Sequence, residues 1–267
     1  MAINQVEIDR RNAAFWDELC GTGLATQLGI TEPSRENLAR FDAAYLALYP
    51  YLGSYLPAGG RGERLLEIGL GYGTVSQALA QRGFNYSGLD IAPGPVEMVR
   101  HRLAELGIEN PERRVRVGSA LEIDHPQGSF DHVVTIGCLH HTGDLPRAVE
   151  EVRRVLRPGG RALVMVYNAR SFRRLRIGLG GRLRGRATDE EEMRGRYDRN
   201  LEGEVAPATA YISKPEARQL FSSFSEVRVR RENFDPLLIG PVVVGRERLL
   251  GWPAHLAGLD LYVSAVK

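Results

Sequence analysis

Residues 65–90 read LLEIGLGYGTVSQALAQRGFNYSGLD. The short apolar run that opens this stretch ends in glycines at 69, 71 and 73, the form expected of a strand buried on both faces. From Thr74, apolar Val75, Ala78 and Leu79 recur at helical spacing as far as Arg82-Gly83, where a terminal cation and a glycine are stop signals. A second strand, Asn85–Ala92, follows and carries Asp90 near its end. The stretch therefore predicts strand, glycine turn, helix, strand, with Glu67 before the glycines and Asp90 beyond them.

Outward from this unit the alternation continues. A helix is expected over 95–107, opened by Pro95 and closed by Gly107. Strands are expected over 114–120 and 130–139, a helix over 145–160 with a Pro-Gly-Gly stop, and a fifth strand over 161–168. A helix over 214–224 and strands over 226–234 and 259–267 complete the pattern. Strand and helix taking turns predict an α/β fold, a doubly wound, Rossmann-like, mostly parallel seven-stranded sheet. Four segments result. Residues 1–60 form a helical N-terminal cap, rich in aromatics, and 61–168 the ligand-binding core. Residues 169–212 are an Arg-rich inserted flap, and 213–267 return to the core with an insertion over 235–258. Insertions of this length are commonly lids or binding loops.

Composition bounds the function. The chain has 267 residues, 43% hydrophobic and 25% charged, with a formal net charge of +2, which gives no global case for nucleic acid or anionic lipid. No apolar run reaches the roughly 18 residues of a membrane span. The first residues mix acids and bases and do not resemble a secretory signal. The two cysteines, Cys20 and Cys138, are too few for a disulfide scaffold. The expectation is a cytoplasmic protein. All basic residues but Lys214 and Lys267 are arginine, as codon bias in a GC-rich genome would produce.

In an open parallel sheet, ligands bind beyond the carboxyl ends of the strands at the topological switch point, and the three glycines lie there. A dinucleotide site wants G-x-G-x-x-G directed at a pyrophosphate. Here the third glycine comes one residue early, and Glu67 suits a cationic ligand better than an anion. Asp90 can accept from both hydroxyls of a ribose. The site reads as one for a nucleoside that carries no pyrophosphate.

These motifs resemble those of class I S-adenosylmethionine-dependent methyltransferases, in the small-molecule group. The resemblance covers about residues 60–168: EIGLGYG at 67–73, Asp90, GSALEI at 118–123, FDHVVTIGCLHHT at 130–142 and LRPGG at 156–160. It implies S-adenosyl-L-methionine as cofactor and S-adenosyl-L-homocysteine as product. It places Gly69 and Gly71 along the methionine part and Glu67 near its amino end, and counts Gly73 among the cofactor-binding residues. Asp90 would lie on the ribose, Ile91 on the adenine face, Ser119, Ala120 and Leu121 at the adenine edge, and Gly137 beneath the sulfonium. Many relatives carry Asp where this chain has Ser119, a weaker acceptor.

A methyltransferase needs a base only when the accepting atom must lose a proton. His140, His141 and Tyr167, after the fourth and at the end of the fifth strand, are the catalytic candidates, with simple loop closure as the alternative for the histidines. No His/Cys/Asp/Glu group has metal-ligand spacing, so no metal is expected. The run RSFRRLRIGLGGRLRGR, 170–186, has seven arginines and no acid, before DEEE at 189–192. It reads as a solvated flap, as a clamp for an acceptor with a carboxylate or phosphate, built on Arg173, Arg174 and Arg176, or as a membrane-surface contact through the interleaved Leu, Ile and Phe. A nucleic-acid substrate is disfavoured because GCLHH lacks the Pro-Pro-aromatic motif of base-amine methyltransferases. The expectation is a small-molecule methyltransferase. The alternatives are a nucleic-acid or protein methyltransferase, or a non-catalytic partner subunit that binds the cofactor.

Overall fold

The computed structural model describes residues 4–17, 23–60, 62–183, 190–200 and 202–267. Cys20 and residues 184–189 of the basic flap and acidic run lie outside them.

Nine strands are described: β1 Arg64–Ile68, β2 Asn85–Asp90, β3 Val115–Val117, β4 Phe130–Ile136, β5 Leu156–Tyr167, β6 Glu226–Glu232, β7 Leu237–Ile239, β8 Val242–Val244 and β9 Asp260–Val266. Seven of them form one sheet in the order β3-β2-β1-β4-β5-β9-β6. β1 to β5 pair in parallel, while β9 runs antiparallel to both β5 and β6. The order reverses between β1 and β4, which makes the mouth of the sheet there the expected ligand crevice. Apolar clusters cover both faces. Leu66, Ile68, Val133 and Val164 pack under the helix Leu145–Val155 on one side. Leu65, Val134, Leu163 and Tyr262 pack under the helices Thr74–Gln81 and Pro93–Glu105 on the other.

Two boundaries differ from the sequence reading. The helix expected over 145–160 ends at Val155, and β5 begins at Leu156. Pro158 has no N–H to donate and pushes the preceding Arg157 out of helical dihedrals. The freed backbone joins the sheet instead, with Leu156 opposite Phe130 and the Gly159 amide donating to the Lys267 carbonyl at 2.7 Å. The third strand shrinks to 115–117, because Gly118 turns its amide onto the Asp90 carbonyl at 2.8 Å. Ser119 and Ala120 thereby sit on a turn at the sheet mouth.

The N-terminal segment is helical, in the pieces Gln5–Trp16, Gly23–Gln27, Arg35–Leu48 and Leu52–Tyr55. A buried ion pair fastens it to the core. Arg102 donates from Nη1 and Nη2 to the two carboxylate oxygens of Asp42 at 2.7 and 2.9 Å, and the Thr74 hydroxyl donates to the same carboxylate at 2.6 Å. Phe41 stacks on Tyr72 at 4.1 Å. In the 169–212 segment the helices Phe172–Leu183 and Glu190–Arg194 precede an irregular stretch. The 235–258 insertion is the β7–β8 hairpin plus the helix Trp252–Ala257, gathered around Phe234, Leu249 and Ala254.

Candidate active site

A cavity of about 300 Å³ opens at the mouth of the sheet, between the glycine loop, the helix Gln5–Trp16 and residues 197–200. Of the residues singled out in the sequence, Gly69, Gly71, Asp90, Ile91, Ser119, Ala120, Gly137 and His141 line it. Glu67, Gly73, Leu121, His140 and Tyr167 do not touch the cavity and stand behind it.

The glycine loop is set by its dihedrals and by Asp90. Gly69 has φ 81°, and a Cβ there would collide with the Cys138 side chain. Backbone at this point can therefore face a ligand directly, where a side chain has no room. Gly73, at φ 75°, leaves space for the Arg102 stem, whose Cδ would lie 2.9 Å from an added Cβ. Asp90 accepts from the Leu70 amide at 2.7 Å and from the Ala92 amide at 2.9 Å, one on each oxygen. A carboxylate has about four lone-pair sites, so it ties the loop down and keeps acceptor capacity toward the cavity. Burial pushes its pKa up, and the backbone amides oppose the shift.

Glu67 is buried beneath the loop and accepts from the Tyr86 hydroxyl at 2.6 Å. Desolvation pushes its carboxyl up to about 7. At the other side of the loop the Ser119 Oγ accepts from the Leu121 amide at 3.2 Å and donates toward Asp9 Oδ2 at 3.5 Å. Asp9, held on its other oxygen by Gln5 Nε2 at 2.7 Å, brings a carboxylate to the edge of the cavity next to the serine.

The far end of the cavity is built from side chains. His141 lies against Trp16, centroids 4.8 Å apart, and against Tyr167 at 5.7 Å. Its Nδ1 is 2.9 Å from the Ala208 carbonyl, and its Nε2 is 3.8 Å from Asp198 Oδ2. Tyr167 donates its hydroxyl to Asp198 Oδ1 at 3.0 Å. Desolvation raises the pKa of Asp198 and holds the Tyr167 phenol well above its usual value. His140 is buried with neither ring nitrogen hydrogen-bonded, and desolvation holds its pKa well below the usual histidine value. Of the three catalytic candidates, His141 alone reaches the cavity.

The sequence reading missed Asp9, Trp16 and Asp198. Each lies in a segment with no motif of its own, and each meets the core residues only through contacts about 30 to 130 positions apart. The flap arginines turn elsewhere: Arg173 donates to both Asp235 oxygens at 2.7 and 2.6 Å and lies over Tyr197, while Arg174 lies over Tyr211. Arg176 is exposed. Among the described residues no group of three His, Cys, Asp or Glu could hold a metal, and no helix is long and apolar enough to cross a membrane.

The methyltransferase domain family matches residues 66–164. The chain is 32% identical over 111 residues to a ubiquinone biosynthesis O-methyltransferase of Pseudomonas aeruginosa, covering 42% of this chain and 47% of that protein. It is 29% identical over 107 residues to the Alkalilimnicola ehrlichii protein of the same name, covering 40% and 42%. It thus spans about half the length of the curated relatives it matches. Among solved structures, an S-adenosylmethionine-dependent methyltransferase from Mesorhizobium loti shares the fold, with a TM-score of 0.52 at 18% identity over 83% of this chain and 98% of that one. So does the geranyl diphosphate C-methyltransferase of Streptomyces coelicolor, with a TM-score of 0.53 at 16% identity over 97% and 96%. Residues 66–164 thus match a methyltransferase domain in sequence, and most of the chain shares its fold with solved S-adenosylmethionine-dependent methyltransferases.

Proposed function

We propose that this chain is a cytoplasmic methyltransferase that moves the methyl group of S-adenosylmethionine to a small molecule held in the same cavity. The observation that carries the reading is the geometry of the glycine loop. Gly69 presents backbone where a Cβ has no room, and the Asp90 carboxylate lies beside it with lone pairs to spare. That cradle fits an aminoacyl chain against the loop and a ribose against Asp90. When bound, the cofactor supplies a sulfonium-activated methyl group, so the protein's part is to orient the acceptor and exclude water, worth on the order of 7–11 kcal/mol in barrier.

Ile91 and Ala120 would sandwich the adenine, and Gly137 would lie beneath the sulfur. Asp9 would supply the charged acceptor for the adenine amino group that many relatives place at the position of Ser119. Glu67 acts at one remove: bonded to Tyr86 below the loop, it fixes the loop's floor and its field. The enclosed volume favours a small ligand over a nucleic acid or a protein chain. For an acceptor with a carboxylate or phosphate, Arg199 lines the cavity, whereas Arg173 would first have to leave Asp235.

The test is calorimetric titration with S-adenosylmethionine, S-adenosylhomocysteine and NAD. Micromolar binding of the first two without NAD supports the reading. Binding of NAD alone would sink it. Binding without transfer to any acceptor would favour a non-catalytic partner subunit.

A further inference from the structure

Within the proposed methyltransferase site, on which this inference rests, four polar atoms remain without hydrogen-bond partners and come together: His141 Nε2, Asp198 Oδ2 and, behind them, the two ring nitrogens of His140. The unpaired pair matters most. His141 Nδ1 is 2.9 Å from a backbone carbonyl, that of Ala208. A carbonyl only accepts, so Nδ1 carries the proton and Nε2 holds a free lone pair. Asp198 Oδ2 stands 3.8 Å from that lone pair, too far to bond it and near enough to stabilise a proton placed on it. The other carboxylate oxygen is occupied by the Tyr167 hydroxyl, which fixes the rotamer of Asp198.

We infer that His141 is the general base for a hydroxyl-bearing acceptor, that Asp198 is the residue that positions and charges it, and that the reaction is O-methylation. In the step, the acceptor O–H bond breaks and its proton passes to His141 Nε2. The oxygen's electron pair forms the new O–CH₃ bond as the carbon–sulfur bond breaks with its pair remaining on sulfur. His141 then carries one positive charge beside the Asp198 carboxylate and loses its proton to solvent before the next turnover. An amine acceptor already free of its extra proton would need no such pair.

The surroundings support the assignment of roles. Trp16 packs against the His141 ring, and the Asn12 amide donates to the His141 carbonyl at 2.7 Å, so side chain and backbone are both fixed by the helix Gln5–Trp16. The charged and titratable groups that face His141 are Asp198 from the inserted segment, Tyr167 from β5 and its neighbour His140. Asp9 and Arg199 line the same cavity. His140 cannot serve in its place, because it is enclosed between His141 and Tyr167, each 4.1 Å away between ring centroids, and does not reach the cavity.

Two readouts test this on the full chain bound to S-adenosylhomocysteine. The first is nitrogen NMR of histidine-labelled protein, with the His141 signals assigned by their loss in His141→Gln. The expected spectrum is the neutral Nδ1–H tautomer at high pH, with an Nε2 resonance that Asp198→Asn displaces. An Nε2–H tautomer, or an Nε2 resonance unmoved by Asp198→Asn, overturns the dyad. The second is transfer of tritiated methyl to catechol as hydroxyl probe and aniline as amine probe. Label on catechol, reduced about 100-fold in kcat by His141→Gln and about 10-fold by Asp198→Asn, is expected. Label on aniline alone, or on neither, overturns the hydroxyl assignment. Calorimetry with S-adenosylhomocysteine keeps the two levels apart: both variants should bind it within about twofold of the parent, whereas a parent that fails to bind it refutes the methyltransferase reading itself.

Discussion

The end of the cavity beside β1 is walled by backbone and small residues, Gly69, Gly71, Gly118, Ala120 and Gly137, all from the stretch 66–164. The opposite end is walled by large and charged side chains, Trp16, His141, Tyr197 and Asp198, of which only His141 comes from that stretch. The first end is shaped by dihedrals that a short local sequence dictates. The second is shaped by where two long segments happen to dock. A ligand that stays the same can be met by fixed backbone, whereas a ligand that differs between relatives is better met by exchangeable side chains on added segments.

Several changes would break or sharpen this contrast. The largest effect is expected from Arg102→Ala. It leaves the Asp42 carboxylate without its bidentate partner and cuts the tie between the helix Arg35–Leu48 and the helix Pro93–Glu105. Loss of one partner of a buried pair costs about 3–5 kcal/mol; urea unfolding should report that loss, and a change under about 1 kcal/mol would mean the two regions hold together without the latch. Next, Asp90→Ala should weaken S-adenosylmethionine binding by about 1.5–3 kcal/mol, or roughly 10- to 100-fold. The His141 signals should stay in place, since that end does not lean on β2. Unchanged cofactor affinity would remove Asp90 from the ribose assignment.

A third test uses pH. Glu67 titrates near 7 in the folded chain against 4.5 when unfolded, because desolvation disfavours its charge. The folded state therefore binds the extra proton, and stability present below pH 4.5 is lost as pH rises through 7, by at most about 1.4 kcal/mol per pH unit. Glu67→Gln should flatten that decline between pH 4.5 and 7 in urea-unfolding midpoints; an identical decline in the variant would mean the carboxyl is ionised in place. The smallest effect belongs to Asp9→Ala, expected to cost about 1 kcal/mol of cofactor affinity by loss of one hydrogen bond at the adenine edge. If S-adenosylmethionine binds Asp9→Ala as before, Ser119 alone serves the adenine amino group.

Much of the β1 end of the cavity was legible in the sequence. Glycines at every second position, a carboxylate at the end of the next strand and the alternation of strand and helix are local signals, and of the thirteen residues named from them and from the family resemblance eight line one cavity. Glu67 shows the limit of such reading: its position in the motif is as expected, yet burial and Tyr86 turn it below the loop. The helix expected to continue to Gly160 stops at Val155 because proline at 158 denies it an amide, a signal that was present and read five residues too late.

The acceptor end was hardly legible. Nothing around Asp198 in YDRN or Asp9 in VEIDRR sets either apart from an ordinary surface acid, and the seven arginines of the flap drew attention that the geometry gives to their neighbours. By itself the sequence determined the sheet, the turn and the kind of ligand the turn can face, because these follow from period, chirality and glycine dihedrals within a few residues. Only the tertiary structure decided which of three aromatic and imidazole candidates reaches the cavity and which acid stands beside it. Those depend on the docking of segments 1–60 and 169–212, where distances between residues some 30 to 130 apart are fixed by packing and burial, not by spacing along the chain.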